Sequence, residues 1–459
     1  MKKVLSTVAA LGLVAGLAST AAAVEFKMSG NYLVEGAYLS NAGNANGVDP
    51  SVDMNTSDSY YLHTFEMKPT MKVNDKVSMN ATIRLADDTF WGSQTDGSTA
   101  TDKDTGNATG DVEVWHLYMD YASPIGNTRF GRVPAGTYGT AFRDYDSRAD
   151  RIAWWPNFVE KPWTLLFYID KAKDNDVTAN AQTAYDSDKY VARVYYKNDT
   201  MDLGLHYGYY SDLTNDSPDA APTPDVYAYA DHKHEVSAYG KFKMDNYFMN
   251  AELTHFFGDR DYDQSANAAA GTSAVLDRDF DSWAGMLQVG GKFDALTPSL
   301  MYFYASGQDV NETAANGGDM ENALGTTGTG DLFEPLYILT GRHTGMLNND
   351  LFDGYTSEMS SAGVHAVVLA ADYTVSKDLT LHGAIGWAQA DEEEITGQAN
   401  QDDEYGWEYN VGAAYKLLDN LTYEAHFGYL DTGDYFEYGV NAADTENIYL
   451  MTHSLSMTF

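Results

Sequence analysis

The sequence of 459 residues contains no cysteine. Disulfides are therefore excluded, and the fold must be held by buried apolar surface and backbone hydrogen bonds. Basic residues are scarce, because 28 Lys and Arg stand against 67 Asp and Glu, which gives a formal net charge of −39. This excess of negative charge argues against binding to nucleic acid or to anionic lipid headgroups. A disordered acidic chain is also disfavoured, because aromatic residues make up 13% of the sequence.

Long apolar runs are absent except at the N-terminus. There, two lysines precede an apolar run from residue 4 to about residue 18, and Ala21–Ala23 fits an A-x-A cleavage site. This pattern is typical of a secretory signal peptide, so residues 1–23 are predicted to be removed and residues 24–459 to form the mature chain. The mature chain has no run approaching the roughly 18 apolar residues that a spanning helix needs. It is predicted to be either an exported soluble protein or a membrane β-barrel.

What the mature chain does contain is alternation. Successive side chains of a strand point to opposite faces, so a strand at an apolar surface has an apolar residue at every second position. The last thirteen residues, NIYLMTHSLSMTF, show one such apolar row. Its members are Tyr449, Met451, His453, Leu455, Met457 and Phe459. The pattern does not explain the polar His453. Such a row fits either the core of a soluble sheet or the lipid face of a membrane barrel.

The connections between alternating segments favour the barrel. Eight short and nine long connections follow one another in strict alternation, which predicts eighteen antiparallel strands with short turns on one side and long loops on the other. Sixteen strands is the alternative, if segments 128–133 and 150–156 are not strands. The polar faces carry mainly Gly, Ser, Thr and Asn with scattered charges, as in a water-filled lumen, and aromatics crowd the strand ends. We therefore predict an all-β fold, a transmembrane antiparallel β-barrel.

With these features the mature chain resembles the Gram-negative outer-membrane porins over its whole length. Phe459, with Met457, Leu455 and Met451 behind it, resembles the C-terminal signal that the barrel-assembly machinery recognises. The segment Thr128–Arg132, TRFGR, resembles the porin strand that leads into the loop folding back into the pore. The resemblance implies an outer-membrane location, contact with its lipids and a homotrimer. Sixteen strands are common in that family, so the count of eighteen is a departure.

The stretch from Arg129 to Arg151 is the strongest candidate for a functional site. By the resemblance, the loop near residues 134–149 folds into the barrel and forms a constriction in which fixed opposite charges face each other across the lumen. Arginine suits this role because it stays charged and can be held rigidly by carboxylates. In the alternative interpretation, these residues form Arg–Asp ion pairs that only hold an external loop in place. The candidate constriction residues are Arg129, Arg132, Arg143, Asp144, Asp146, Arg148, Asp150 and Arg151.

The longest connection, residues 307–361, is unusually apolar in its middle, from Asp331 to His343. Loops of this length are usually functional or disordered. The sequence leaves three placements open: the segment plugs or lines the vestibule, covers a neighbouring subunit, or packs on other loops to cap the barrel.

Carboxylates cluster at Asp391–Glu394, at residues 401–404 and at Asp170–Asp188. Oxygen ligands of this kind can bind Ca²⁺. No cluster has the spacing of an EF-hand, and solvated acidic loops are the alternative. We therefore expect no cofactor, with Ca²⁺ on these loops as the exception to test. The acids also predict a negative outer mouth that favours cations.

Signatures of catalysis are missing, since there is no G-x-S-x-G turn and no H-E-x-x-H pair, and the histidines are scattered along the strands. The expected function is a water-filled channel for passive diffusion of small hydrophilic solutes or ions, and not an enzyme. The alternatives are a substrate-selective channel or exporter and a structural or adhesive barrel with a plugged pore.

Overall fold

The computed structural model describes residues 24–40, 57–91, 112–174, 186–213, 228–263, 275–325, 328–348, 351, 356–392, 402–437 and 446–459. The predicted signal peptide lies outside these residues. The described chain forms eighteen strands: β1 (Glu25–Ser40), β2 (Ser57–Asn74), β3 (Val77–Phe90), β4 (Glu113–Ser123), β5 (Gly126–Ala135), β6 (Ser147–Pro156), β7 (Trp163–Lys173), β8 (Ser187–Lys197), β9 (Met201–Asp212), β10 (Tyr229–Met244), β11 (Tyr247–Tyr262), β12 (Arg278–Gly291), β13 (Leu296–Ala305), β14 (Val364–Thr374), β15 (Leu379–Gln389), β16 (Glu404–Leu418), β17 (Leu421–Thr432) and β18 (Ile448–Thr458).

The strands close into one antiparallel barrel. Each strand pairs with its neighbour in the chain, and β1 pairs with β18, so no strand edge is left open. At the seam, Gly30 and Phe459 exchange two backbone hydrogen bonds of 3.0 Å. The predicted fold class and the count of eighteen are confirmed, and the two segments that separated eighteen from sixteen are strands β5 and β6.

The outer face of the barrel is apolar. In β18, Tyr449, Met451 and Leu455 are exposed on this face, whereas Ile448 and Leu450 are buried on the opposite, lumenal face. Large exposed apolar side chains continue around the barrel, among them Leu117, Ile152, Leu205, Leu253, Leu369 and Val411. A predominantly apolar outer surface on a closed barrel is what a hydrocarbon environment requires.

His453 has a partner on that outer face. Its Nε2 lies 3.2 Å from the hydroxyl oxygen of Tyr61, although β1 runs between the two strands. The two side chains meet above Gly36, where a Cβ would lie 2.6 Å from the Tyr61 ring and 2.7 Å from His453 Nε2. Tyr207 and His234 form a similar pair, with a distance of 2.8 Å. An imidazole that faces lipid has no water to bond, so a tyrosine hydroxyl supplies the hydrogen bond.

Helical structure is sparse in the described chain. It comprises the α-helix α1 (Thr356–Ala362) and two 3₁₀ turns, Ala141–Arg143 and Asp434–Phe436. Among the described residues, none of the helices has the length and apolar character needed to cross a membrane.

The main apolar core lies inside the barrel. The segment 328–348 packs against the lumenal faces of β12 to β18, and its Leu336, Ile338 and Leu339 are fully buried. The wall contributes buried side chains such as Phe303 and Tyr405. Each fully buried side chain of this size stabilises the packing by roughly 1.5–3 kcal/mol. The apolar middle of the longest connection therefore lines the lumen on one side of the barrel.

Candidate pore constriction

The first inward segment consists of residues 136–146, which connect β5 to β6 and extend across the lumen. The Tyr138 hydroxyl donates to the carbonyl of Ser237 on β10 (3.0 Å). The backbone N–H and hydroxyl of Thr140 both donate to Glu252 Oε2 on β11, at 2.6 Å each. The backbone approaches this carboxylate closely at Gly139, whose φ is +77° and where a Cβ would lie 2.6 Å from a Glu252 oxygen. The segment is thus fixed to the wall opposite its own strands.

The second inward segment, residues 328–348, joins the first. Gly330 N–H donates to the carbonyl of Phe142 (2.9 Å), and Asp331 N–H donates to the carbonyl of Asp144 (3.0 Å). In return, Asp146 N–H donates to the Asp331 carboxylate at 2.6 Å. The two segments together form a continuous wall inside the barrel, which we call the inner partition (136–146 and 328–348).

The far end of the second segment is fastened by charge. The guanidinium of Arg342 lies 2.6 Å from Asp88 on β3 and 3.4 Å from Glu35 on β1. The His343 ring is held between Glu35 (2.8 Å from Nε2) and the Tyr60 hydroxyl (2.8 Å from Nδ1). The inner partition is therefore tied to β1, β2 and β3, the first three strands after the barrel seam.

A cavity of about 600 Å³ remains between the inner partition and the wall formed by β6 to β12. Its cationic lining residues are Arg143, Arg148, Arg151, Lys189, Arg193 and Lys233, and its acidic lining residues are Asp170, Glu235 and Glu252. Cations outnumber acids two to one here, although the whole chain carries a net charge of −39. The charge of this cavity is thus opposite in sign to the charge of the protein.

Most of these cations rest on aromatic rings. The Arg151 guanidinium lies 3.7 Å from the Tyr168 ring centre and makes a bidentate bond to Asp170 (2.5 and 2.8 Å). The ammonium groups of Lys189 and Lys233 lie 4.3 and 5.6 Å from the Tyr210 ring centre. Among the ion pairs of the described residues, only Arg148 and Arg151 of the six cations take part. The other four cations contact aromatic rings and no carboxylate of the described chain, so their positive charge is available to a solute.

Several predicted constriction residues lie at this cavity or in the inner partition. Arg143 donates to the carbonyl of Ala323 (2.9 Å), and Arg148 pairs with Glu113 (2.5 Å). Asp144 and Asp146 belong to the inner partition; Asp146 also pairs with Arg84. Burial, reinforced by nearby Asp331, raises the pKa of the Asp144 carboxyl.

Arg129 is lumenal but lies elsewhere. It makes a bidentate bond to Asp120 (2.6 and 3.1 Å) and borders a second cavity, of about 580 Å³, near the turn between β2 and β3. That end of the barrel carries the short turns. Arg129 therefore contributes to the opposite end of the lumen and not to the cavity beside the inner partition.

Arg132 and Asp150 require a correction. They pair with each other across β5 and β6, at 3.1 Å, in a row that continues with Phe130 and Ile152. Phe130 and Ile152 are exposed on the apolar outer face, and residues two apart within a strand share a face. Arg148, at the second residue of β6, departs from this parity, since it borders the cavity. The pair of Arg132 and Asp150 therefore lies on the outer face of the barrel. The interpretation of these two residues as part of the constriction is wrong.

The sequence reasoning missed the lysines and acids of strands β8 to β11. Strand parity contains the signal: Lys189 alternates with the exposed Tyr190, and Lys233 and Glu235 alternate with the exposed Val236. The residues opposite in parity to the lipid face must point inward. Their clustering across several strands is visible once the parity of each strand is assigned.

Four of the described acids in the predicted clusters pair with basic groups. Asp170 binds Arg151, Lys171 binds Asp186 (2.5 Å) and Asp188 (3.2 Å), and Asp391 lies 2.8 Å from His365 Nε2. Residues 175–185 and 393–401 lie outside the described chain. Among the described residues, three potential ligands converge outside these clusters, on strands β10 and β11: His232, Asp259 and Asp261. Calcium binding by the acidic loops stays a prediction.

This geometry defines a closed eighteen-stranded antiparallel barrel that is apolar outside and has an inner partition beside a charged cavity. No family model matches the chain, and no curated protein is similar to it in sequence. Solved structures are similar in fold. OccK8 (OprE) of Pseudomonas aeruginosa is 13% identical with a TM-score of 0.51, covering 95% of this chain and 98% of its own. OccK5 (OpdH) of the same organism is 11% identical with a TM-score of 0.51, covering 94% and 98%. The outer membrane protein opdK, also of P. aeruginosa, is 13% identical with a TM-score of 0.50, covering 94% and 98%.

Proposed function

We propose that this protein is a porin of a Gram-negative outer membrane, through which small hydrophilic solutes and ions diffuse passively. The observation that carries the proposal is the combination of an apolar outer face with a charged cavity between the barrel wall and the inner partition. Closed barrels of the same fold include a protein described as an outer membrane protein, which supports the location. The proposal contains no enzymatic step.

The charges at the cavity further support a preference for anions. Six cations face three acids there, in a narrow space bounded by protein, where the field of fixed charges is focused. A small anion gains attraction from the excess positive charge, whereas a small cation is repelled. The acidic groups elsewhere in the chain act at greater distance and are screened beyond about 10 Å at 0.1 M salt.

Conductance in a planar lipid bilayer tests the proposal. The purified mature protein should produce stepwise current increases, and single-channel conductance should rise with salt concentration without saturating. Under a salt gradient, the sign of the reversal potential should be that of a channel more permeable to anions than to cations. If this protein gives no current while a porin reconstituted in parallel does, the proposed channel is refuted. A reversal potential of the sign that indicates cation permeability would refute the preference for anions.

A substrate-selective channel is the second candidate, favoured by one observation: lysine and arginine side chains stacked on Tyr168 and Tyr210 along the cavity wall. A planar or anionic solute could bind to such a surface and pass by steps. Liposome uptake that saturates with solute concentration, and competes with ion current, would favour this candidate over general diffusion.

We propose that the channel functions without a cofactor and as a homotrimer. A chelator added to both bilayer chambers should leave conductance unchanged; a loss of current restored by Ca²⁺ would instead assign a role to the acidic loops. Conductance steps should come in threes, and the mass in detergent should be that of three chains. A monomeric mass with single steps would refute the trimer.

A further inference from the structure

The carboxylate of Glu408, on β16, is completely buried on the lumenal side. Its Oε1 accepts a hydrogen bond from the backbone N–H of Ile338, and its Oε2 accepts one from the backbone N–H of Leu339, both at 2.8 Å. No ion pair among the described residues involves Glu408. Burying a carboxylate without a cation is costly unless charge-assisted hydrogen bonds compensate. The inner partition supplies two of these bonds, so wall and partition stabilise each other at this point.

The wall beside Glu408 is shaped to receive the same stretch of chain. A Cβ on Gly386 of β15 would lie 2.8 Å from the Leu336 side chain, and a Cβ on Gly428 of β17 would lie 3.2 Å from Ile338 Cγ1. Glycine at these positions leaves room that larger residues would fill. Residues 336–338 therefore rest in a recess whose floor is glycine, next to the carboxylate that binds their backbone.

Residues 336–339 lie between the other attachments of the second inward segment. Gly330 and Asp331 bond the first inward segment, and Arg342 and His343 bond strands near the barrel seam. The space left for solutes is the lumen minus the volume of the inner partition. Any shift of residues 336–339 away from β16 would change that space.

We propose that Glu408 is the positioning residue that holds the inner partition against β15 to β17 and so sets the width and ion selectivity of the pore. The inference rests on the proposed function for its effect on transport, but the attachment itself can be measured without transport. It predicts that the partition leaves the wall more often when the Glu408 carboxylate is altered.

The substitution Glu408→Gln tests the attachment with little change of volume. A glutamine offers one carbonyl oxygen and turns an N–H group toward the other backbone donor, so one backbone N–H loses its partner. The ratio of displaced to seated partition should rise by about tenfold or more. A partition displaced from β15 to β17 moves toward the cavity lined by β6 to β12. In single-channel records the variant should therefore show a lower mean conductance and larger open-channel noise. Conductance and noise equal to those of the wild type would overturn the proposal.

Glu424→Gln is the matched control. Glu424 lies on the adjacent strand β17, is also lumenal, and lies 3.8 Å from His426 Nε2. Among the described contacts it makes no hydrogen bond to the inner partition. The control should reproduce the noise of the wild type. If both variants are equally noisy, the effect belongs to lumenal charge in general, and the role of Glu408 is refuted.

A cross-link separates positioning from folding. Ile338→Cys together with Gly428→Cys places two thiols at a site where the Cβ of residue 428 would lie 3.2 Å from Ile338 Cγ1. The sulfur of a cysteine at residue 338 takes the place of that γ atom, so the two side chains are close enough for a disulfide. The chain has no other cysteine. In the Glu408→Gln background, the oxidised cross-link should restore wild-type conductance and noise, and reduction should abolish the rescue. Failure of the oxidised form to restore them would overturn the proposal.

The rate of cross-linking provides a readout without current. Oxidation followed on a non-reducing gel should be slower in the Glu408→Gln background, because the thiols spend less time in contact. An equal rate would refute positioning by Glu408, whatever the conductance. A slower rate in a protein that is silent in bilayers would refute the channel and retain the positioning role.

Discussion

Replacing Arg143, Arg148 and Arg151 together with glutamine should abolish the anion preference and move the pore toward cations. These residues are half of the six cations that border the cavity beside the inner partition. Two of them neutralise carboxylates, Glu113 and Asp170, which the substitutions leave without their partners. The lining then carries three cations and three acids of the original set, so its excess of positive charge disappears.

The size of the effect follows from Coulomb's law. A charge about 8 Å from the permeating ion contributes about 0.5 kcal/mol in a water-like dielectric. Three such charges change the energy of a monovalent anion by about 1.5 kcal/mol and that of a monovalent cation by the same amount in the opposite direction. Without screening, the anion-to-cation permeability ratio therefore changes by about a hundredfold. Because the screening length falls to about 3 Å at 1 M salt, the same substitutions should have little effect there.

Reversal potentials under a salt gradient measure this ratio. Arg132→Gln is the control. Arg132 is paired with Asp150 on the outer face, so this substitution removes one arginine without changing the lumen. The control should keep the wild-type potential. An unchanged potential in the triple variant at low salt would exclude the cavity as the selectivity site, and a shift in the control would contradict the assignment of faces.

Three further outcomes are expected. Deletion of Phe459 should lower the yield of folded barrel on heat-modifiability gels, with Thr458→Ser as control, because the terminal ring lies on the outer face at the seam and its backbone pairs with β1. Gly36→Leu should separate Tyr61 from His453 and lower the free energy of unfolding by about 1–3 kcal/mol, measured as a lower unfolding midpoint in urea. A midpoint equal to that of the wild type would show that the Tyr61–His453 hydrogen bond does not stabilise the barrel. Leu336→Ala should cost about 2–5 kcal/mol by the same measurement, and a cost near zero would contradict the lumenal core.

The outer face was predictable because lipid imposes one demand on every strand. Each residue facing hydrocarbon must be apolar, so alternation appears directly in the sequence and its interruptions mark the loops. The strand count and the seam at Phe459 follow from this pattern. The pairing of His453 could not be predicted in this way. Its partner Tyr61 is 392 residues away in the chain, and the two side chains meet over a glycine of a third strand.

The lumen was less predictable, because its contacts form only after the barrel closes. Thr140 meets Glu252 at a separation of 112 residues, and Ile338 meets Glu408 at 70. No local pattern encodes such pairs. Arg132 was misplaced for a different reason, which is local. Residues three apart on a strand face opposite sides, so the five arginines that are close in the chain divide between the lumen and the outer face.

The opposite signs of the whole chain and of the cavity have a physical explanation. A net charge of −39 sums over the whole chain, and a charge more than about 10 Å from a solute in the cavity is largely screened at 0.1 M salt. The solute responds to the few charges on the wall it passes, and those are mainly Arg and Lys supported by aromatic rings. Composition predicted a preference for cations at the mouth, whereas from the lining of the cavity we expect a preference for anions. Because the inner partition occupies part of the lumen beside this cavity, we expect the cavity wall to have the stronger effect on the selectivity of the pore.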